Sequence, residues 1–164
     1  MQPCRIERLG ASDWERVRAV RLRALAEAPD AFGTTFAQDE ARPPEEWRAR
    51  LADPRAATFV ATADGKDVGL VTGRKYEGYD GAGGLFGMWV APSHRGRGIA
   101  RELIDAVIAW ARESGLNRLL LDVADANTAA IALYESKGFR STGVTGTLPS
   151  PREHVLEHQR SLDL

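Results

Sequence analysis

The 164-residue chain carries 22 Lys and Arg against 23 Asp and Glu, 43% apolar residues and a single cysteine, Cys4. The near-neutral charge argues against a nucleic-acid-binding domain, which is usually basic, and no apolar run reaches the ~20 residues that cross a bilayer. A lone cysteine makes no internal bridge and favours a reducing compartment.

The length predicts one domain over 1–164, which buries roughly 70% of its unfolded surface and needs neither disulfide nor metal. Residues 1–5 show neither the charged nor the apolar part of a signal peptide. The expected location is therefore cytoplasmic, with no membrane partner.

In chain order, residues 5–9 form a short strand. A helix opens at Ser12, with Glu15 at capping-box spacing, and shows an apolar stripe of Trp14, Val17, Val20 and Ala24 before Pro29 ends it. Residues 31–36 are a loop or short turn, and a second helix follows Pro43 and Pro44 to residue 51. Strands follow at 57–63, 68–76 and 84–90, the first two joined by an Asp64-Gly65 hairpin turn. Residues 76–83 are a glycine- and tyrosine-bearing loop.

Beyond residue 90 a basic, glycine-rich stretch leads into a long helix with Ala100, Leu103, Ile104, Val107 and Ala111 on one face. The mostly apolar run 116–123 suits a strand buried on both faces. Asn127 caps a helix that Gly138 stops, and strands at 139–145 and 155–162 complete the chain. This alternation is that of an α/β or α+β domain with a mixed sheet.

The stretch Val90-Ala91-Pro92-Ser93-His94-Arg95-Gly96-Arg97-Gly98-Ile99-Ala100 joins a strand to that long helix. The first turn of a helix has N–H groups without internal partners and a partial positive charge, so a pyrophosphate fits there. Gly96 and Gly98 allow close approach of the backbone, and Arg95 and Arg97 add charge. Three readings compete. A plain basic turn is the simplest. A dinucleotide fingerprint needs a small residue where Arg101 stands, and the missing Gly-Lys-Ser/Thr excludes a Walker loop. The third reading is a coenzyme A pyrophosphate loop.

Arg95-x-x-Gly98-x-Ala100 resembles the Arg/Gln-x-x-Gly-x-Gly/Ala signature of GNAT acyltransferases. A second block, Leu119 to Val123, then Asn127, Ala130, Leu133, Tyr134 and Gly138-Phe139, is similar to the strand, Asn-capped helix and closing Gly-Phe of the same family. The resemblance covers the chain from residue 57 onward.

It implies a GNAT fold: a mixed sheet of six to seven strands with about four helices, and splayed strands that form an acetyl-coenzyme A cleft. It implies that Met88, Trp89 and Val90 meet the pantetheine arm through their backbone, and that Arg95, Gly96, Arg97, Gly98, Ile99 and Ala100 hold the phosphates. Asn127, Ala130 and Tyr134 would then face the arm and sulfur. Tyr134 is the catalytic candidate, serving the departing thiolate. A phenol near pKa ~10 yields its proton to a thiol of ~8.5 only against a gradient, so hydrogen bonding counts as much as transfer. The competing role is that of a core tyrosine beside Leu133 and Phe139.

Many relatives carry a basic carboxylate on the strand before the phosphate loop, whereas residues 84–90 have none. Asp122, Asp125, Glu40 and Glu77 are conceivable bases, each more often an ordinary surface carboxylate. His154 and His158 with Glu153 and Glu157 suggest metal ligands, but no third ligand signature accompanies them and no metal is expected. Phe32, Phe36, Tyr76, Tyr79 and residues 147–151 are candidate acceptor walls.

The expected function is N-acetyl transfer from acetyl-coenzyme A to a small-molecule or peptide amine by direct attack in a ternary complex. A homodimer is compatible with the resemblance. The alternative is a non-catalytic acyl-coenzyme A sensor, suggested by the missing carboxylate and opposed by the retained Tyr134.

Overall fold

The computed structural model describes residues 4–164; residues 1–3, part of the stretch weighed for a targeting signal, lie outside them. One seven-stranded sheet runs through the molecule. Its strands are β1 (Arg5–Leu9), β2 (Ala56–Ala63), β3 (Lys66–Lys75), β4 (Ala82–Val90), β5 (Arg118–Ala124), β6 (Arg140–Thr147) and β7 (Leu156–Asp163). The order across it is β1-β2-β3-β4-β5-β7-β6. Five helices surround it: α1 (Trp14–Glu27), α2 (Phe36–Glu40), α3 (Pro44–Ala52), α4 (Ile99–Glu113) and α5 (Thr128–Ser136).

The β2–β3 hairpin turns on Asp64 and Gly65, with φ of 54° and 74°, the double positive φ that a two-residue hairpin turn requires. α4 is the crossover between β4 and β5. Its Ile99, Leu103, Ile104, Val107, Ile108, Trp110 and Ala111 are buried, at about 1.5–3 kcal/mol for each large side chain. The helix lies so close to β3 that a Cβ on Gly73 would stand 2.6 Å from the Trp110 ring.

Two local expectations shift. The cap of the first helical region is Gly10, whose N–H is taken by Asp13 at 2.9 Å, so Ser12 lies inside a 3₁₀ turn that leads into α1. The loop expected at 31–36 ends in α2, capped reciprocally by Thr35 and Gln38 at 3.2 and 2.9 Å. That pairing is a capping box legible in the sequence.

The feature that makes a site is the junction of β4 and β5. These parallel strands pair only through Ala82–Arg118, Gly83–Leu119 and Gly84–Leu120. Beyond that point β4 carries a bulge against β3, with Gly87 at φ 59°. A bulge bends its strand and adds twist, and β4 parts from β5. Contrary to the expectation of a strand buried on both faces, the residues of β5 alternate, and Asp122 is exposed between buried Leu121 and Val123. Among the described residues, no helix is long and apolar enough to cross a membrane.

Candidate active site

A cavity of about 1030 Å³ occupies the gap between β4 and β5. Leu85 to Met88 form one wall, Asp122 to Asp125 the other, and Asn127, Ala130 and Tyr134 of α5 the end. Residues 28–34 and residues of the β6–β7 connection, among them Leu148, Pro149 and His154, cover it. Arg152 ties those two covering segments together. Its guanidinium donates to the carbonyls of Pro29, Phe32 and Gly33 at 2.8, 3.0 and 2.9 Å.

At the start of α4, Gly98 is the cap with φ 82° and Gly96 has φ 80°. A side chain disfavours that conformation. No atom lies within 4 Å of a Cβ placed on either glycine, and the N–H groups of Gly96 to Ala100 donate to no acceptor among the described residues. An open row of N–H groups at the start of a 15-residue helix suits an anion such as a pyrophosphate.

The arginines of this loop are engaged elsewhere. Arg95 donates Nε to the Val90 carbonyl at 2.9 Å and Nη2 to Glu27 at 2.8 Å. Glu27 also accepts Trp89 Nε1 at 2.8 Å. The Trp89 bond, and then Arg95, hold the Glu27 carboxyl below its usual range. Arg97 reaches Asp64 at 3.4 Å, beside buried His94, whose Nε2 lies 3.1 Å from the same carboxylate. Arg95 thereby ties the loop to α1, with its side chain half exposed.

The backbone of β4 also sorts its residues. Ala91 N–H bonds to Val68 of β3, and the Trp89 carbonyl faces Gly69. Val90, and by alternation Met88, turn toward the open side. Trp89 thus departs from the expected backbone contact: it faces β3, and its ring is core.

Tyr134 is 6% exposed, lines the cleft and packs edge-on against Phe139 with centroids 5.7 Å apart. Its hydroxyl has no hydrogen-bond partner among the described residues, and burial raises its pKa far above a free phenol. Asn127 accepts Ala130 N–H at 3.2 Å, so it caps α5 while lining the cleft.

The carboxylates missing from β4 stand across the gap. Continuing the β4–β5 register sets Asp122 opposite Phe86. Glu157 pairs with Ala124, on the same face of the sheet as Asp122 because direct partners share a face. Although Asp122 is accessible to solvent, the protein packed around it pushes it above the ordinary carboxylate range, and Glu157 is raised by burial and by the Asp122 charge. Asp125 lies on the rim, paired with His158. Glu40 and Glu77 do not line the cleft. Of the expected acceptor walls, Phe32 and residues 148–149 line it, Tyr76 backs Phe86 with ring centroids 6.1 Å apart, and Phe36 and Tyr79 are surface residues. Among the described residues, no three His, Cys, Asp or Glu side chains gather as a metal site.

The sequence model of the Acetyltransferase (GNAT) family matches residues 22–139. The chain belongs to the GNAT acetyltransferase family. This GNAT chain is 37% identical to the mycothiol acetyltransferase of Thermobispora bispora over 131 residues, 77% of this chain and 43% of that protein. It therefore spans less than half the length of that relative. A GNAT-family acetyltransferase from Streptococcus pneumoniae superposes with a TM-score of 0.81 at 22% identity, covering 99% of this chain and all of that one. The yncA protein of Salmonella typhimurium, solved with its cofactor acetyl-CoA, gives a TM-score of 0.78 at 19% identity, over 99% and 95% of the two chains.

The structure of this GNAT chain brings Met88, Asn127, Ala130 and Tyr134 into the cleft, while Gly96 to Ala100 are not among the residues that line it. The sequence reading singled out neither Arg21 nor Arg152, and it read Glu157 only as part of a metal-like cluster. The period-two alternation of β7, with Glu157 on the face of Asp122, is the one signal that pointed to Glu157.

Proposed function

We propose that the chain is an N-acetyltransferase that uses acetyl-coenzyme A and an amine acceptor in a ternary complex. The observation carrying this reading is a cleft lined together by a buried tyrosine and two carboxylates with raised pKa values, in a chain whose α4 begins with an open row of backbone N–H groups. Bound acetyl-coenzyme A supplies an activated acetyl group, and its transfer to an amine leaves a thiolate. Gly96 to Ala100 would hold the pyrophosphate by backbone N–H, and Met88 and Val90 offer backbone groups to the pantetheine arm.

An aliphatic amine with a pKa near ~10.4 is unprotonated about once in a thousand molecules at pH 7, so loss of its proton is a substantial part of the barrier. Glu157, with Asp122 beside it, takes that proton directly or through water. A carboxylate raised toward neutral pH is the better base, and such groups contribute about 10²–10⁴ in rate. Their location on β5 and β7 supports a base that does not come from β4. Tyr134 stays protonated and donates a hydrogen bond to the thiolate. The small-molecule or peptide nature of the amine follows from none of these residues.

The test is thiol release from acetyl-coenzyme A across a panel of amines, with Gly98→Glu as control. Amine-dependent release in the parent, lost when a carboxylate stands at the start of α4, is the expected result. A parent protein that binds acetyl-coenzyme A and releases no thiol with any amine refutes the reading.

A further inference from the structure

Arg21 of α1 lines the cleft without serving any role described above. Its Nε donates to Asp39 at 2.8 Å and its Nη2 to Thr34 at 3.0 Å. The guanidinium carbon lies 4.9 Å from the Phe32 ring centroid. Nη1 donates to nothing among the described residues. It points at the β4 bulge, where a Cβ on Gly87 would lie 2.8 Å away, so the absence of a side chain at Gly87 leaves it uncovered.

Neutralising Asp39 does not account for this arrangement. That buried carboxylate, held below its usual range despite burial, also accepts Arg42 at 2.7 Å and Thr34 at 3.0 Å. Arg50 lies close enough to Arg42 and Arg21 for their charges to add to burial in lowering its pKa. Of the charged groups in this cluster only Arg21 lines the cleft, and Asp122 and Glu157 line the same cleft. A guanidinium cannot be neutralised by losing its proton, and its remaining N–H pair suits an anionic oxygen. Gly87 lines the same cavity as Asp122 and Glu157, so the cation and the carboxylates open into one space.

The geometry points to an acceptor that carries a carboxylate near its amine, an amino acid, with Arg21 Nη1 binding the carboxylate while Asp122 and Glu157 face the nitrogen. This inference rests on the acetyl-transfer reading and adds the acceptor class to it.

The test uses matched triplets, such as phenylalanine, phenylalaninamide and phenethylamine, drawn from several side-chain types. Thiol release from acetyl-coenzyme A is read with the parent chain, Arg21→Gln and Arg21→Lys. The parent is expected to prefer the acid over the decarboxylated amine in kcat/KM by about tenfold to a hundredfold, the weight of one charged hydrogen bond. Arg21→Gln should collapse that ratio, and Arg21→Lys should cut it several-fold, because an ammonium does not reproduce the fork. If Arg21→Gln fails to fold, the ratio in Arg21→Lys decides: a fall supports the assignment and an unchanged ratio overturns it. Equal rates for acid, amide and amine in the parent also overturn it while acetyl transfer stands. If the parent turns over none of these amines or any other, acetyl transfer is refuted and this assignment falls with it.

Discussion

Replacing Tyr134 by phenylalanine removes one oxygen from a ring that is otherwise held by packing. The ring is 6% exposed and its edge-on contact with Phe139, 5.7 Å between centroids, does not involve the hydroxyl. Because that hydroxyl has no partner among the described residues, its removal breaks no hydrogen bond in the folded chain. Stability should stay within about 0.5 kcal/mol, a shift below roughly 2 °C in Tm for a chain this size. In the reaction the same oxygen donates to a developing thiolate. A hydrogen bond to a charged group is worth about 1.5–3 kcal/mol, or roughly 10- to 150-fold in kcat. Burial raises the tyrosine pKa, so the donor is present throughout the working range and no alkaline loss of kcat below about pH 10 belongs to it. Steady-state thiol release and a thermal melt on the same preparation check both halves. A kcat within threefold of the parent, or a fall in kcat accompanied by a Tm loss of many degrees, refutes the assignment.

Further outcomes follow from the site. Asp122 and Glu157 must be ionised to accept a proton and have raised pKa values, so kcat/KM should fall on acidification at a higher pH than ordinary carboxylates give. Glu157→Gln should remove that acid limb and lower kcat by about 10²-fold or more; a pH profile identical to the parent's excludes Glu157 as the base. Since a raised acid pKa means that ionisation weakens the fold as pH rises, Asp122→Asn should also raise Tm at neutral pH relative to the parent. Arg152→Ala strands the carbonyls of Pro29, Phe32 and Gly33. It should raise the acceptor KM, leave acetyl-coenzyme A affinity unchanged, and cost about 1–3 kcal/mol of stability. Calorimetry and a denaturant melt read these separately, and an unchanged KM removes the covering segments from acceptor binding.

What the sequence by itself determined is local. The stripe of α4, the positive-φ demands at Gly96 and Gly98, the Asn127 cap and the Asp64-Gly65 turn depend on residues within a few positions of one another, and their physics is written in spacing. The glycine-rich start of α4 was legible for that reason, and so was the family. The tertiary structure decided everything that needs two distant segments. Arg95 meets Glu27 only because α1 packs beside the loop. Glu157 becomes a partner of Asp122 because β7 inserts between β5 and β6. Arg21 faces the cleft because Asp39 and Thr34 hold its fork and Gly87 leaves the other side bare. A side chain's spacing along the chain sets which face of its own element it occupies; which charge it meets there depends on a neighbour tens of residues away, and that only the packed sheet and helices supply.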